Sequence, residues 1–213
     1  MERYDPARLG GGVPEKHLDS VLAPVLIPCM GPGKRVLDLG CGTFFYAPIL
    51  ARRFGMVAGL DFSRGMLAAS KGGRGWLAVQ GDAERLPFGA DTFDAVVSVD
   101  FLHHVERTGP VLAEVSRVLR PGGVYAAVEP NMVNPGMLLA HLLPPEERAA
   151  VHRNWPARLR RKVEAGVGPA RATFHNLSFS TQYAPVANRL FPFEKGGRPW
   201  SLRILVTSRK PRA

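Results

Sequence analysis

Short apolar runs alternate with amphipathic stretches through the first 130 residues, and the period of each run predicts what it forms. Leu18, Val21, Leu22, Val25 and Leu26 recur at helical spacing and predict an N-terminal helix over 13–30, closed by Gly31-Pro32-Gly33-Lys34. Residues 35–39, 56–60, 76–79, 93–99 and 124–128 are continuous apolar runs bounded by turn residues, which predicts strands. Between them the helical period returns over 45–54, 64–71 and 109–119, the last ending at Arg120-Pro121-Gly122-Gly123. Strands that are apolar throughout, rather than alternately, are covered on both faces. Their regular alternation with helices therefore predicts an α/β fold with a doubly wound, parallel sheet.

Beyond residue 130 the pattern is less regular. Residues 144–164 have a helical pattern opening on Pro144-Pro145-Glu146-Glu147, and 173–179 and 202–208 have strand character. The segment between those strands carries Pro185, Pro192, Gly196, Gly197 and Pro199, which predicts a loop. A chain of 213 residues suits one domain over 1–213, with a helical segment at 1–32, a core at 33–130 and a cap with final strands at 131–213.

Composition narrows the class of protein. With 46% of residues apolar, a sizeable core can be buried and disorder is excluded. The longest apolar runs, 21–27 and 137–143, fall far short of a bilayer span, and the N-terminus lacks a signal-peptide layout. Cys29 and Cys41 stand apart, without disulfide-framework or metal-ligand spacing. These features predict a cytoplasmic protein. The formal charge of +10 is uneven: residues 148–213 hold 14 Lys and Arg against Glu164 and Glu194 alone. Such a C-terminal third suits an anionic partner: nucleic acid, an anionic membrane surface or a phosphorylated substrate. Equally, the Arg158-Leu159-Arg160-Arg161-Lys162 run fits one solvated helix face.

Gly40 and Gly42 lie directly after the first strand and before a helix. Glycine there permits a sharp turn and lets a ligand approach the backbone, and the helix start favours an anionic group. Asp61 ends the second strand, at a distance from Gly40 that suits an acid holding both ribose hydroxyls of an adenosine ligand. A dinucleotide fingerprint would place a third glycine at position 45, which is Phe45.

Val36-Leu37-Asp38-Leu39-Gly40-Cys41-Gly42-Thr43 resembles motif I of the class I S-adenosylmethionine-dependent methyltransferases. Gly59-Leu60-Asp61-Phe62-Ser63-Arg64-Gly65-Met66-Leu67 is similar to their second motif, and Gln80-Gly81-Asp82-Ala83-Glu84-Arg85-Leu86-Pro87-Phe88 to their third. Phe93-Asp94-Ala95-Val96-Val97-Ser98, Leu102-His103-His104-Val105 and Leu119-Arg120-Pro121-Gly122-Gly123 follow in order. The resemblance covers about 33–130 and is strongest to the branch with ubiquinone/menaquinone-type and small-molecule methyltransferases. It implies a seven-stranded, mostly parallel sheet with an antiparallel edge, and S-adenosyl-L-methionine as cofactor. It also implies that Asp38 holds the glycine loop and receives the cofactor's amino group, while the Gly40, Cys41 and Gly42 backbone passes along the methionine moiety. Asp61 would bind the ribose, Phe62 and Met66 would flank the adenine, and Asp82 and Ala83 would meet its edge. Asp100 and Phe101 would stand near the sulfonium. Phe44 occupies a position where the family usually has glycine, and the expectation is that its ring points away from the cofactor.

The resemblance further implies a methyl acceptor that is a small molecule, with an oxygen or carbon receiving the methyl. His103 and His104 are the candidate bases, because imidazole titrates near neutrality and both follow the fourth strand, where open sheets bind ligands. Adjacent residues point apart, so one of them, taken as His104, is expected to face the pocket. Glu129 either orients the acceptor or fixes a loop; Tyr4 and His17 are weaker candidates on the N-terminal segment. His141, His152 and His175 show no metal spacing, and no metal is expected. Residues 132–200 should cap the pocket. An apolar cap with a basic rim fits a lipid-like or quinone-like acceptor at a membrane surface better than RNA, since no RNA-binding appendage is recognisable. The alternatives are an RNA methyltransferase and a non-catalytic binding protein that keeps the fold; the oligomeric state is left open.

Overall fold

A computed structural model of the chain describes residues 22–31, 33–70, 75–175, 177 and 201–212. Helix α1 (Ala23–Met30) precedes β1 (Arg35–Leu39), α2 (Ala47–Ala51), β2 (Met56–Asp61), α3 (Arg64–Ala68), β3 (Trp76–Gln80) and β4 (Phe93–Val99). A 3-10 turn (Leu102–His104) leads to α4 (Thr108–Val118) and the long β5 (Leu119–Pro130). After it come α5 (Pro135–Leu142), a 3-10 turn (Pro145–Glu147), α6 (Arg148–Arg153), α7 (Pro156–Gly166), β6 (Ala170–His175) and β7 (Arg203–Arg209).

The seven strands form one sheet in the order β3-β2-β1-β4-β5-β7-β6, parallel except where β7 pairs with β5 and with β6. The fold class read from the sequence is therefore observed, including the antiparallel edge. The chain reverses direction between β1, which turns toward β2, and β4, which lies on its other side. That switch point leaves a crevice at the C-terminal ends of β1 and β4, where open α/β sheets bind ligands.

Each face of the sheet is covered by its own core. Leu37, Leu39, Tyr125 and Val206 pack with Val111, Leu112 and Val115 of α4 and Leu159 and Val163 of α7. Val36, Val57, Val97 and Val128 pack on the other face with Leu26 and Met30 of α1 and Ile49 and Leu50 of α2. The Arg158–Lys162 run lies on α7, whose Leu159 and Val163 are fully buried while Arg158 and Arg161 are exposed. The solvated-face expectation holds for it.

Several predicted boundaries are corrected. The helix placed over 144–164 is three short pieces, because Pro156 opens a new helix after the Asn154-Trp155 break. Its C-terminal part, α7, does not cap the pocket: it lies on the sheet against α4, with Gly166 tight against Leu112. The helix α5 was not expected, and Arg120-Pro121-Gly122-Gly123 opens β5 rather than only closing α4. Strand β6 begins three residues before its predicted start, at Ala170. The predicted N-terminal helix is seen over Ala23–Met30; Tyr4, His17 and the Pro185–Pro199 loop lie outside the described residues. Among the described residues no helix is long and apolar enough to cross a membrane.

Candidate active site

The turn after β1 is built from left-handed backbone. Gly40 (φ 75°), Gly42 (φ 52°) and Phe44 (φ 61°) all have positive φ, a conformation that costs a residue with a Cβ. At Gly40 a Cβ would stand 2.2 Å from the Phe101 ring, which lies directly against this glycine, so no larger residue fits. The N–H groups of Gly40 and Cys41 donate to the Leu60 carbonyl at 2.8 and 3.1 Å. The Gly42 N–H donates to Asp61 Oδ2 at 2.8 Å, and the Ser63 N–H donates to Asp61 Oδ1 at 2.8 Å. Asp61 is thus the carboxylate that holds the loop, a role expected of Asp38.

Asp38 is fully buried, and its Oδ2 has no hydrogen-bond partner. Burial, with the negative charge of Asp61 added, pushes its pKa up to about 7. Such an orphaned acceptor costs free energy unless something completes it. A bound ammonium would do so and would favour the ionised form. Each Asp61 oxygen, having given one lone pair to the loop, keeps another for a ligand hydroxyl. The residues present therefore fit an adenosine ligand that also carries an amino group.

Phe44 meets the expectation set for it. Its ring is buried, stacks on Trp76 at a centroid distance of 5.9 Å, and occupies the space a Cβ on Gly59 would take. The phenylalanine backbone adopts the left-handed turn that glycine would supply, while its side chain joins the core outside the cleft.

A single cleft of about 790 Å³ brings most of the predicted positions together. Gly40, Cys41, Gly42, Asp61, Phe62 and Met66 line one end; Asp82, Ala83, Asp100 and Phe101 continue it. Phe62 is 54% exposed, presenting a ring for stacking, whereas Met66 is buried beneath Gly42. Asp82 uses Oδ1 to accept the Glu84 N–H at 2.9 Å, so this carboxylate also fixes its own turn. The Cys41 thiol is buried beside Gly59 and donates to the Gly42 carbonyl at 3.9 Å, while the Cys41 backbone N–H ties the loop to Leu60. Asp100, itself at φ 51°, pairs with Arg203 at 3.0 Å.

The two histidines both line the cleft, against the expectation that one would. Their ring centroids stand 3.8 Å apart within the 3-10 turn. Glu129 explains the turn. Fully buried, its carboxylate accepts the N–H groups of Phe101 at 3.0 Å, Leu102 at 2.6 Å and His103 at 3.3 Å. It also accepts from His103 Nδ1 at 2.7 Å and from Asn154 Nδ2 at 3.3 Å. Glu129 therefore fixes the loop and sets the tautomer of His103, leaving the Nε2 lone pair free of a proton. Burial drives the His103 pKa down to about 4; desolvation by the cleft wall, with His103 beside it, lowers that of His104, whose side chain is exposed. Both imidazoles are neutral at physiological pH.

Sequence inspection missed Tyr46, Met137, His141, Glu147 and Arg203, which line the same cleft. Tyr46 follows the glycine turn; the others come from α5, the following 3-10 turn and β7, far away in sequence. His103, His141 and Glu147 each offer a ligand atom, and these atoms lie within 4.8 Å of one another. His175 lies on the β6 edge, with Nε2 2.9 Å from Thr173 Oγ1, and His152 is exposed on α6.

Residues 37–127 match the family described as Methyltransferase domain. Over 94 residues the chain is 46% identical to a demethylmenaquinone methyltransferase of Mycobacterium tuberculosis, a stretch that is 44% of this chain and 40% of that protein. The chain thus spans less than half the length of the curated relatives it matches. Among solved structures it is similar to a SAM-dependent methyltransferase from Thermotoga maritima, with a TM-score of 0.69 and 18% identity, covering 92% of this chain and 90% of that one. It is also similar to a phosphoethanolamine N-methyltransferase of Haemonchus contortus in complex with S-adenosyl-L-methionine. That match has a TM-score of 0.65 and 17% identity, covering 90% of this chain and 52% of that one.

Proposed function

We propose that this chain, a class I methyltransferase by its 37–127 domain and its sheet, transfers the methyl group of S-adenosylmethionine to an oxygen or carbon of a small, apolar acceptor. The observation that carries this is the alignment of Gly40–Gly42, Asp61, Asp82 and Asp100 along one cleft, with a buried Asp38 oxygen left without a partner. When bound, the cofactor supplies an electrophilic methyl on a sulfonium. Everything else is positioning by this chain, which in an in-line displacement can provide much of the acceleration. Asp61 would take the ribose hydroxyls, and Asp82 with the Ala83 N–H would take the adenine edge beside Phe62. Asp38 would take the amino group, and Phe101 over Gly40 would exclude water from the methyl.

Apolar surface adjoins the far end of the cleft, whose own wall is mixed, with Met137 beside His141, Glu147 and Arg203. Met137 enters it from α5, and Leu139, Leu142 and Leu143 are exposed on and beside that helix. An exposed apolar helix beside Arg148 and Arg153 favours a lipid-like or quinone-like acceptor at an anionic surface. His104 is the base assigned to the acceptor, with its partner His103 oriented by Glu129. A histidine held this far down in pKa accepts a proton only from a strongly activated group.

Incubating the protein with cofactor labelled in its methyl group and a lipid extract, then detecting the labelled product by mass spectrometry, tests the reaction. Transfer by the wild-type chain that Asp61→Ala lacks supports it. Cofactor binding of equal strength in both proteins would refute the site.

A further inference from the structure

We propose that His103, His141 and Glu147 form a divalent-cation site in the wall of the cleft, its remaining coordination positions open toward the acceptor. The three residues come from three separate pieces of chain: the 3-10 turn after β4, helix α5 and the 3-10 turn after α5. Their ligand atoms already lie within 4.8 Å of one another. Donors held at about 2.1 Å from one tetrahedral ion stand about 3.4 Å apart, so binding needs the widest pair to close by at most about 1.4 Å.

A second feature points the same way, and it concerns the ring nitrogen that each histidine keeps engaged with a neighbour. His103 Nδ1 bonds to the Glu129 carboxylate at 2.7 Å, and His141 Nδ1 bonds to the Met137 carbonyl at 2.8 Å. Both partners accept only, so both Nδ1 atoms carry the proton and both Nε2 atoms are bare lone pairs. One histidine anchored by a carboxylate and another by a backbone carbonyl is the outer-shell arrangement that orients metal-binding imidazoles. The rings stand nearly perpendicular, at 83°, with centroids 5.8 Å apart. The charge around them suits a dication: Glu129, Glu147 and Asp100 are acidic, against the nearby Arg203 and Arg153.

Two imidazoles and one carboxylate favour a transition ion such as Zn²⁺ or Co²⁺ over Mg²⁺ or Ca²⁺, which want oxygen ligands. Three protein ligands leave at least one position for an acceptor oxygen. Coordination there would make a hydroxyl more acidic and so lighten the demand on His104. That last role rests on the proposed methyl transfer; the ion site itself does not.

The test is a titration of untagged, chelator-treated protein with Co²⁺ and with Zn²⁺ near neutral pH. One ion per chain, with visible d–d absorption for Co²⁺, is expected. His141→Ala and Glu147→Gln should each weaken binding by tenfold or more, while His152→Ala should leave it unchanged. Matching thermal melts identify variants that fold; should His141→Ala fail to fold, the half-exposed Glu147 carries the comparison. Wild-type protein that does not saturate, or that binds no better than Glu147→Gln, overturns the site. Tight, Glu147-dependent binding without methyl transfer supports the site and counts only against the proposed reaction. Methyl transfer without saturable binding does the reverse.

Discussion

Asp38 and Phe44 show how single residues decide what the glycine turn can do. Asp38 titrates near 7 in the fold against an ordinary 3.8. The folded chain therefore holds an extra proton between those values, and the stability this residue contributes falls as pH rises through that window, then levels above it. Wild-type urea midpoints, set against those of Asp38→Asn, should decline from acid toward neutral pH and flatten above it. The same proton reports on the ligand. Cofactor binding below neutrality should release close to one proton, detectable by calorimetry in buffers of different ionisation heat, and almost none at higher pH. Phe44 makes the opposite kind of prediction. Phe44→Gly relieves a strained backbone but empties a core position against Trp76 and Gly59. It should cost about 3 kcal/mol in chemical denaturation, yet leave cofactor affinity within about twofold.

At the scale of elements, the strands were the legible part. Four of the five parallel strands begin at the residue predicted, because strands apolar on both faces announce themselves without periodicity. Helix α5 was missed for a physical reason: its Pro-Gly-Met-Leu-Leu-Ala-His-Leu sequence is apolar all round, and none of its side chains is fully buried. A helix that leaves its apolar surface exposed gives no amphipathic signal. With α5 went Met137 and His141, and with the turn after it Glu147, so this wall of the cleft was invisible in the sequence. The half proposed for the cofactor was readable because its residues follow strand ends at fixed offsets. Helix α7 offers a test of packing. A Cβ on Gly166 would stand 2.6 Å from Leu112 Cβ, so Gly166→Ala should destabilise by about 1–3 kcal/mol, although alanine is the better helix former. Loss of that amount in a urea melt, without change in cofactor affinity, would separate this scaffold contact from the site.

Across the whole molecule, β7 is the strand on which the sheet closes. It pairs with β5 on one side and β6 on the other, and its Arg203 reaches Asp100 at the cleft. These contacts link residues far apart in the chain, which delays folding until both flanks are in place. Arg203→Ala should spare the sheet register but release Asp100, lowering methyl transfer more than stability; activity and thermal midpoint measured on the same preparation check this. A chain ending before residue 201 would expose the β5 edge and should lose its cooperative unfolding transition.

Glu129 has a consequence for anyone redirecting the protein to a new acceptor. Its one carboxylate grips three successive amides, an imidazole and Asn154, so the backbone path of 101–103 depends on it. Substituting Glu129 would release those amides, so a screen scored on turnover alone would read a structural loss as a chemical one. Met137, on the helix that forms the opposite wall and buried in no core, is the place to spend the diversity.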